Sequence, residues 1–96
     1  IEDVAPTADV YSLGKTLYAV LTAGEVYPGS RHRDARYDLV RRFGDARLTH
    51  VHGALDLLTA ENPAERPQSM TEARALLGRV REAVRENVAY ADGLYR

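Results

Sequence analysis

Apolar residues recur at helical spacing through most of the chain, and no segment alternates apolar and polar as a half-buried strand would. From Ala8 to Ala23 the positions Val10, Leu13, Leu17, Val20 and Leu21 follow that spacing, and Tyr11, Tyr18 and Ala19 fill much of the remaining circumference. Lys15 is the single charge between Val10 and Thr22. A helix apolar nearly all round is expected to be buried on every side. Asp9 suits its N-terminal cap, and Gly24 suits a left-handed stop.

Residues 24–34 read as loop, with turn chemistry in Pro28-Gly29-Ser30 and a solvated charge run in Arg31-His32-Arg33-Asp34. A short helix is expected over 35–43, carrying Tyr37, Leu39, Val40 and Phe43 and ended by Gly44. The next, over 49–60, carries Val51, Ala54, Leu55, Leu57 and Leu58. Asn62-Pro63-Ala64-Glu65 combines a cap, a proline at the first helical position and a glutamate three residues after the cap. Pro67 then stops that turn, because it lacks an N–H and restricts the residue before it. Ser69-Met70-Thr71-Glu72 is a capping box that opens a last helix over 70–90. Its apolar stripe is Ala73, Leu76, Leu77, Val80, Ala83, Val84 and Val88, and Arg74, Arg79, Arg81, Glu82, Arg85 and Glu86 form its wet face. The expected fold is all-α, four to five helices with no sheet, in one partial domain over 1–96.

Composition narrows the function. Ninety-six residues allow one small domain. A formal net charge of −1 supplies no field to concentrate nucleic acid or an anionic membrane. Cysteine is absent, which removes disulfides, cysteine zinc sites and thiol catalysis together. No apolar run approaches the roughly 20 residues that span a bilayer. Ile1-Glu2-Asp3 carries no signal-peptide pattern, so a cytoplasmic location is expected. A start at Ile1 without Met also suggests a piece of a longer protein.

Candidate chemistry is sparse. His50 and His52 lie two apart on one helix and diverge, whereas metal pairs on helices are three or four apart. His32 sits in a loop with no acidic or thiol companion in view, and no metal or cofactor site is expected. Asp56, Glu61, Glu65 and Asp92 fall mostly near helix ends, where capping accounts for them. No phosphate-cradling glycine loop and no glycine-flanked nucleophile occurs. The basic pairs Arg41-Arg42 and Arg79/Arg81 lack aromatic interleaving, which argues against a nucleic-acid partner.

Two places resist so plain an account. Asp9-Val10-Tyr11-Ser12-Leu13-Gly14 puts a carboxylate, a hydroxyl and a glycine on an otherwise apolar helix. A glycine there costs about 0.8–1.0 kcal/mol against alanine and marks close approach by another backbone. The other place is Arg66-Pro67, where the simplest role for the arginine is a surface charge.

Asp9 to Gly14, followed by Lys15-Thr16-Leu17-Tyr18-Ala19-Val20-Leu21-Thr22, resembles the D-V-Y-S-L-G-x-x-L-Y-x-x-L-T segment of protein kinases, and its flavour is that of bacterial-type Ser/Thr kinases. Leu57-Leu58 through Asn62-Pro63-Ala64-Glu65-Arg66-Pro67 resembles the family's L-L-x-x-x-x-P-x-x-R-P stretch. The resemblance runs in family order from about Pro6 to Val88 and identifies helix F (8–23), a helix-G-like segment (35–43), helix H (49–60) and helix I (70–90) of the C-terminal lobe. Tyr11 stands at the family's Trp or Tyr position, Tyr27-Pro28 stands where P-F is frequent, and Ala5-Pro6-Thr7 is too close to Asp9 to be A-P-E.

By this resemblance Asp9, Ser12 and Gly14 support a catalytic loop, Asp9 by accepting its backbone hydrogen bonds and Gly14 by permitting close packing. Arg66 anchors the activation segment by pairing with the A-P-E glutamate. The Gly-rich loop, the ATP-contacting Lys, H-R-D-x-x-x-x-N and D-F-G have no counterpart in the chain. The implied parent uses Mg-ATP to phosphorylate protein Ser/Thr, with the kinase N-lobe and catalytic segment as missing partners and a protein as substrate. The chain itself is then scaffold, without catalytic residues, and Arg66 within it is solvated or unpaired unless Glu2 substitutes. The rival accounts are a kinase-like interaction module without activity and an unrelated small helical bundle.

Overall fold

The structure, a computed structural model, describes residues 6–96, and within them it is all-helical with no strand. Four α-helices follow one another: α1 (Pro6–Leu21), α2 (Leu39–Phe43), α3 (Thr49–Leu58) and α4 (Met70–Arg85). Two 3₁₀ turns, Ala46–Leu48 and Pro63–Glu65, lead into α3 and away from it.

Local chemistry sets most of the boundaries. Asp9 lies inside the first turn of α1, where a carboxylate favours the helix dipole but does not cap. At the other end the Gly24 N–H bonds the Ala19 carbonyl at 2.7 Å, and the left-handed position falls on Ala23 at φ 58°. Helix α2 starts four residues later than its apolar pattern suggests, because Asp38 turns the chain and accepts the Val40 N–H. Gly44 closes α2 in the left-handed region, as its position predicts. Asn62 accepts from the Ala64 N–H and starts the 3₁₀ turn that Pro63 opens. The capping box of α4 is offset at one end. Ser69 accepts the Glu72 N–H at 3.1 Å, but Glu72 returns its bond to the Gln68 N–H at 2.9 Å.

Helix α4 stops at Arg85, five residues before the expected limit. Asn87 takes φ 56°, with Val88 N–H bonding the Ala83 carbonyl at 2.9 Å and Asn87 N–H bonding Val84 at 3.2 Å. That is a Schellman end built on asparagine rather than glycine. Residues 86–96 then fold back, and Tyr95 is buried.

Helix α3 is the central element. Its Ala54 and Leu58 join Val10 of α1, Ala73, Leu76, Val80 and Ala83 of α4, and Tyr95 in one apolar cluster. Its Leu55 joins Tyr18, Tyr27 and Leu39 in a second, which covers the loop and α2. Where α1 crosses α3, a β-carbon on Gly14 would lie 2.6 Å from Thr59 Cγ2 and 2.9 Å from Leu58 Cβ. The glycine therefore marks a close approach, as its placement in a helix implies.

One expectation needs correcting. Helix α1 is not buried on every side; Thr7, Val10, Gly14 and Tyr18 form its covered face. Asp9, Ser12, Thr16 and Val20 lie about half a turn away and are exposed, Val20 by 73%. Among the described residues, α3, α4 and the loop all approach from one side of α1.

Gly14→Ala is expected to destabilise the fold by about 1–3 kcal/mol, because the overpacking outweighs the gain in helix propensity. A lower urea midpoint at unchanged slope is the measurement.

Candidate functional site

The four residues singled out by the kinase resemblance do not converge on one pocket. Asp9 and Ser12 sit on the exposed face of α1, three residues apart, and Gly14 is on the opposite, buried face. The close neighbours of Gly14 are Leu58 and Thr59. Arg66 is at the base of α1. Its Nε donates to the Ala60 carbonyl at 2.7 Å, and its Nη1 donates to the Thr7 carbonyl at 3.2 Å. Its guanidinium carbon lies 4.7 Å from the centre of the Tyr11 ring. The arginine is therefore neither simply solvated nor left without partners, because carbonyls freed at the end of α3 and an aromatic face receive it. Glu2, the carboxylate expected to substitute as its partner, lies outside the described residues.

The densest polar grouping is one that the sequence patterns hid. His32 and His52 are 1% and 2% exposed, and their Nδ1 atoms meet at 2.7 Å. The rings stack with centroids 5.0 Å apart. His52 Nε2 accepts the Leu39 N–H at 2.9 Å, which leaves the His52 proton on Nδ1, donated to His32 Nδ1. His32 then carries its proton on Nε2, 2.9 Å from Asp56 Oδ1. Arg33 completes the chain with two bonds to the Asp56 carboxylate, at 3.1 and 2.7 Å, and one to the Tyr90 hydroxyl at 3.1 Å.

This arrangement revises two expectations. Residues 31–34 are not a uniformly solvated run: Arg31 pairs with Asp34 at the surface, but His32 is buried and has Asp56 as its acidic companion. Asp56 lies in the last turn of α3, where the dipole disfavours a carboxylate, so capping does not explain it. Burial opposes its charge, but the hydrogen bonds from His32 and Arg33 prevail and hold its carboxyl well below the usual carboxylate range. Burial and the neighbouring His32 push the His52 imidazole down to about 4.

His50 belongs to a separate contact. Its Nε2 donates to the Val88 carbonyl at 2.7 Å and its Nδ1 accepts from the Tyr95 hydroxyl at 2.6 Å. The two α3 histidines thus diverge, as their spacing implies, one to the C-terminal tail and one to the loop. The tail packs so closely that a β-carbon on Gly53 would lie 2.7 Å from Tyr90 and 2.9 Å from Tyr95. Lys15, the lone charge of α1, is likewise engaged. Its Nζ donates to the Tyr27 and Gly29 carbonyls and lies 3.6 Å from the centre of the Tyr27 ring. Burial lowers its pKa and raises that of Tyr27 to about 12. The phenol therefore stays protonated and donates to Thr59 Oγ1 at 2.8 Å, while Thr59 donates to the Leu55 carbonyl. Glu61, Glu65 and Asp92 are exposed.

Among the described residues no three His, Asp or Glu side chains are grouped to hold a metal ion. No described helix is long and apolar enough to cross a membrane. No protein-family model matches the chain, and neither a curated protein nor a solved structure matches it.

Two measurements follow from this geometry. An unfolded histidine takes up its proton near pH 6.5, whereas folded His52 stays neutral down to about pH 4. Stability is therefore full above pH 6.5 and falls by about 2–3 kcal/mol as the pH drops to 4. Asp56, whose folded pKa is depressed, adds a further loss below that range as the unfolded carboxylate protonates. Urea midpoints between pH 8 and 3 measure both. Arg66→Met removes charge-assisted bonds to the Ala60 and Thr7 carbonyls and is expected to lower stability by about 1.5–3 kcal/mol in this chain. A midpoint equal to or above that of the wild type would return Arg66 to a surface charge.

Proposed function

We propose that the chain is a scaffold portion of the C-terminal lobe of a Ser/Thr protein kinase, with α1, α3 and α4 in the places of helices F, H and I. The observation that carries the proposal is the meeting of the two motifs. Arg66, from the stretch resembling L-L-x-x-x-x-P-x-x-R-P, lies on Tyr11 and the Thr7 carbonyl, at the start of the D-V-Y-S-L-G helix. Contact between the two motifs is what a single lobe containing both would give.

The exposed face of α1 gives further support. Asp9, Ser12, Thr16 and Val20 line it, and Asp9 is its one acidic or basic side chain. A solvent-facing helix surface ordinarily carries more charge, whereas a face covered by a catalytic loop needs little beyond a carboxylate to accept backbone N–H groups. On this reading the complete parent transfers the γ-phosphoryl group of Mg-ATP to protein hydroxyls, and the groups that bind ATP and move the phosphoryl lie on other segments. Asp9, Ser12 and Gly14 hold those segments in place, and Arg66 anchors the activation segment.

A second reading, an interaction module without kinase activity, is favoured by the His32–His52–Asp56 core and the tail closed over Gly53, which give the chain polar and apolar cores of its own. The coding frame upstream of Ile1 separates the two. The Gly-rich loop, its Lys, H-R-D and D-F-G in one frame support the active parent, and their replacement supports the module.

The chain alone is expected to bind no Mg-ATP in a calorimetric titration and to transfer no label to a generic protein substrate. In the complete kinase, Asp9→Asn is expected to lower kcat about 10- to 100-fold with the fold retained, the loss that follows when a positioning element is displaced. Unchanged turnover would reduce Asp9 to a residue of the first helical turn.

A further inference from the structure

The neutral His32–His52 pair has four ring nitrogens and two protons, and the geometry allows a third proton only one place. One proton lies between the two Nδ1 atoms, 2.7 Å apart, and the other is on His32 Nε2, directed at Asp56. A second proton between the Nδ1 atoms would set two N–H donors against each other. The remaining nitrogen is His52 Nε2, which accepts the Leu39 N–H at 2.9 Å and lies 3.0 Å from Asp38 Oδ1. Once protonated, that nitrogen attracts the Asp38 carboxylate and repels the Leu39 N–H.

We infer that this pair is a proton-operated latch: a proton taken from solvent by His52 Nε2 turns it from acceptor of the Leu39 amide into donor to Asp38, freeing that amide and loosening α2 at its first turn. His32, Asp56 and Arg33 meanwhile keep the loop on α3. The rest of the fold does not depend on the latch. The α1–α3–α4 cluster of Val10, Ala54, Leu58, Leu76 and Val80 contains no residue of the loop or of α2. Helix α2 is five residues long, too short to persist without such anchors. Asp38 Oδ1 also caps α2 by accepting the Val40 N–H at 3.0 Å, so the proton draws on the cap and the amide together.

The charged and titratable groups around the pair come from every neighbouring element. The loop contributes Arg33, and Tyr27 with its ring 5.4 Å from that of His32; the cap of α2 contributes Asp38. Helix α3 contributes Asp56, and the tail contributes Tyr90 through Arg33. Asp56 is tied to Arg33 and His32 and stays ionised, so it does not take the proton first. Burial and His32 keep the latch closed at neutral pH and place its opening toward pH 4.

Residue-resolved hydrogen exchange of the chain from pH 7.5 to 4, expressed as protection factors, tests the latch. Protection at Leu39 and Val40 is expected to fall about tenfold or more, to that of an open chain, while α1, α3 and α4, lowered by the general loss of stability, remain protected. Loss of all protection in every helix together, or none at Leu39 and Val40, overturns the proposal. His52→Gln, which offers an acceptor to Leu39 but cannot titrate, is expected to abolish the step; a step that persists overturns it. Should His52→Gln leave α2 unprotected even at pH 7.5, Asp38→Asn decides. Removing the carboxylate that stabilises protonated His52 moves the step to lower pH, and an unmoved step overturns the latch.

Discussion

The loop between α1 and α2 has no regular structure of its own, and its second half is held to α3 by the contact between the His32 and His52 rings. Once those nitrogens meet, the other bonds are constrained in turn. His52 takes the first amide of α2, His32 turns to Asp56, and Asp56 holds Arg33, which reaches the tail at Tyr90. Four segments distant in sequence are joined through a few ring and carboxylate atoms. Because His52 Nε2 faces both a donor, the Leu39 N–H, and an acceptor, Asp38 Oδ1, a change of protonation rearranges the network, which makes it pH-sensitive. A hydrophobic core of the same size would hold the loop without that sensitivity.

The other fixed point is the crossing of α1 and α3. Gly14 lets α1 approach the Leu58–Thr59 step, and the same Thr59 receives the Tyr27 hydroxyl from the loop. Lys15, next in sequence, turns toward the Tyr27 and Gly29 carbonyls. Consecutive residues of α1 therefore settle the helix crossing and pin the loop. Arg66 does comparable work below, satisfying carbonyls at the end of α3 and the start of α1. Such contacts to backbone carbonyls depend on where the chain runs rather than on a particular side-chain partner.

These arrangements bear on function by separating two kinds of surface. The side of α1 that meets α3 and α4 is packed, whereas the side bearing Asp9 and Ser12 is exposed and nearly uncharged. On the kinase reading the exposed side is where a catalytic segment rests, and the packed side is its foundation. The latch at α2 lies on the loop side of α3, so opening it leaves the α1–α3–α4 foundation in place.

Helical periodicity and capping chemistry by themselves determined the all-α fold, the existence and order of the four helices, the stops near Gly24 and at Gly44, and the start of α4 at Ser69. These are local effects, set by residues within a turn of one another. Gly14 was legible as a close approach because a mid-helix glycine is costly anywhere else. The tertiary structure alone decided what approached it. The end of α4 at Arg85 is local in form, a left-handed stop at Asn87, and the fold decides that the tail beyond it turns back to bury Tyr95 against Gly53. Nothing local distinguishes His32 from its solvated neighbours, because its partners are 20 and 24 residues away on α3. A buried polar network is a property of long-range pairing. Sequence spacing along one helix separates His50 from His52 and sets His52 and Asp56 on one face, but only the folded chain brings His32 to them.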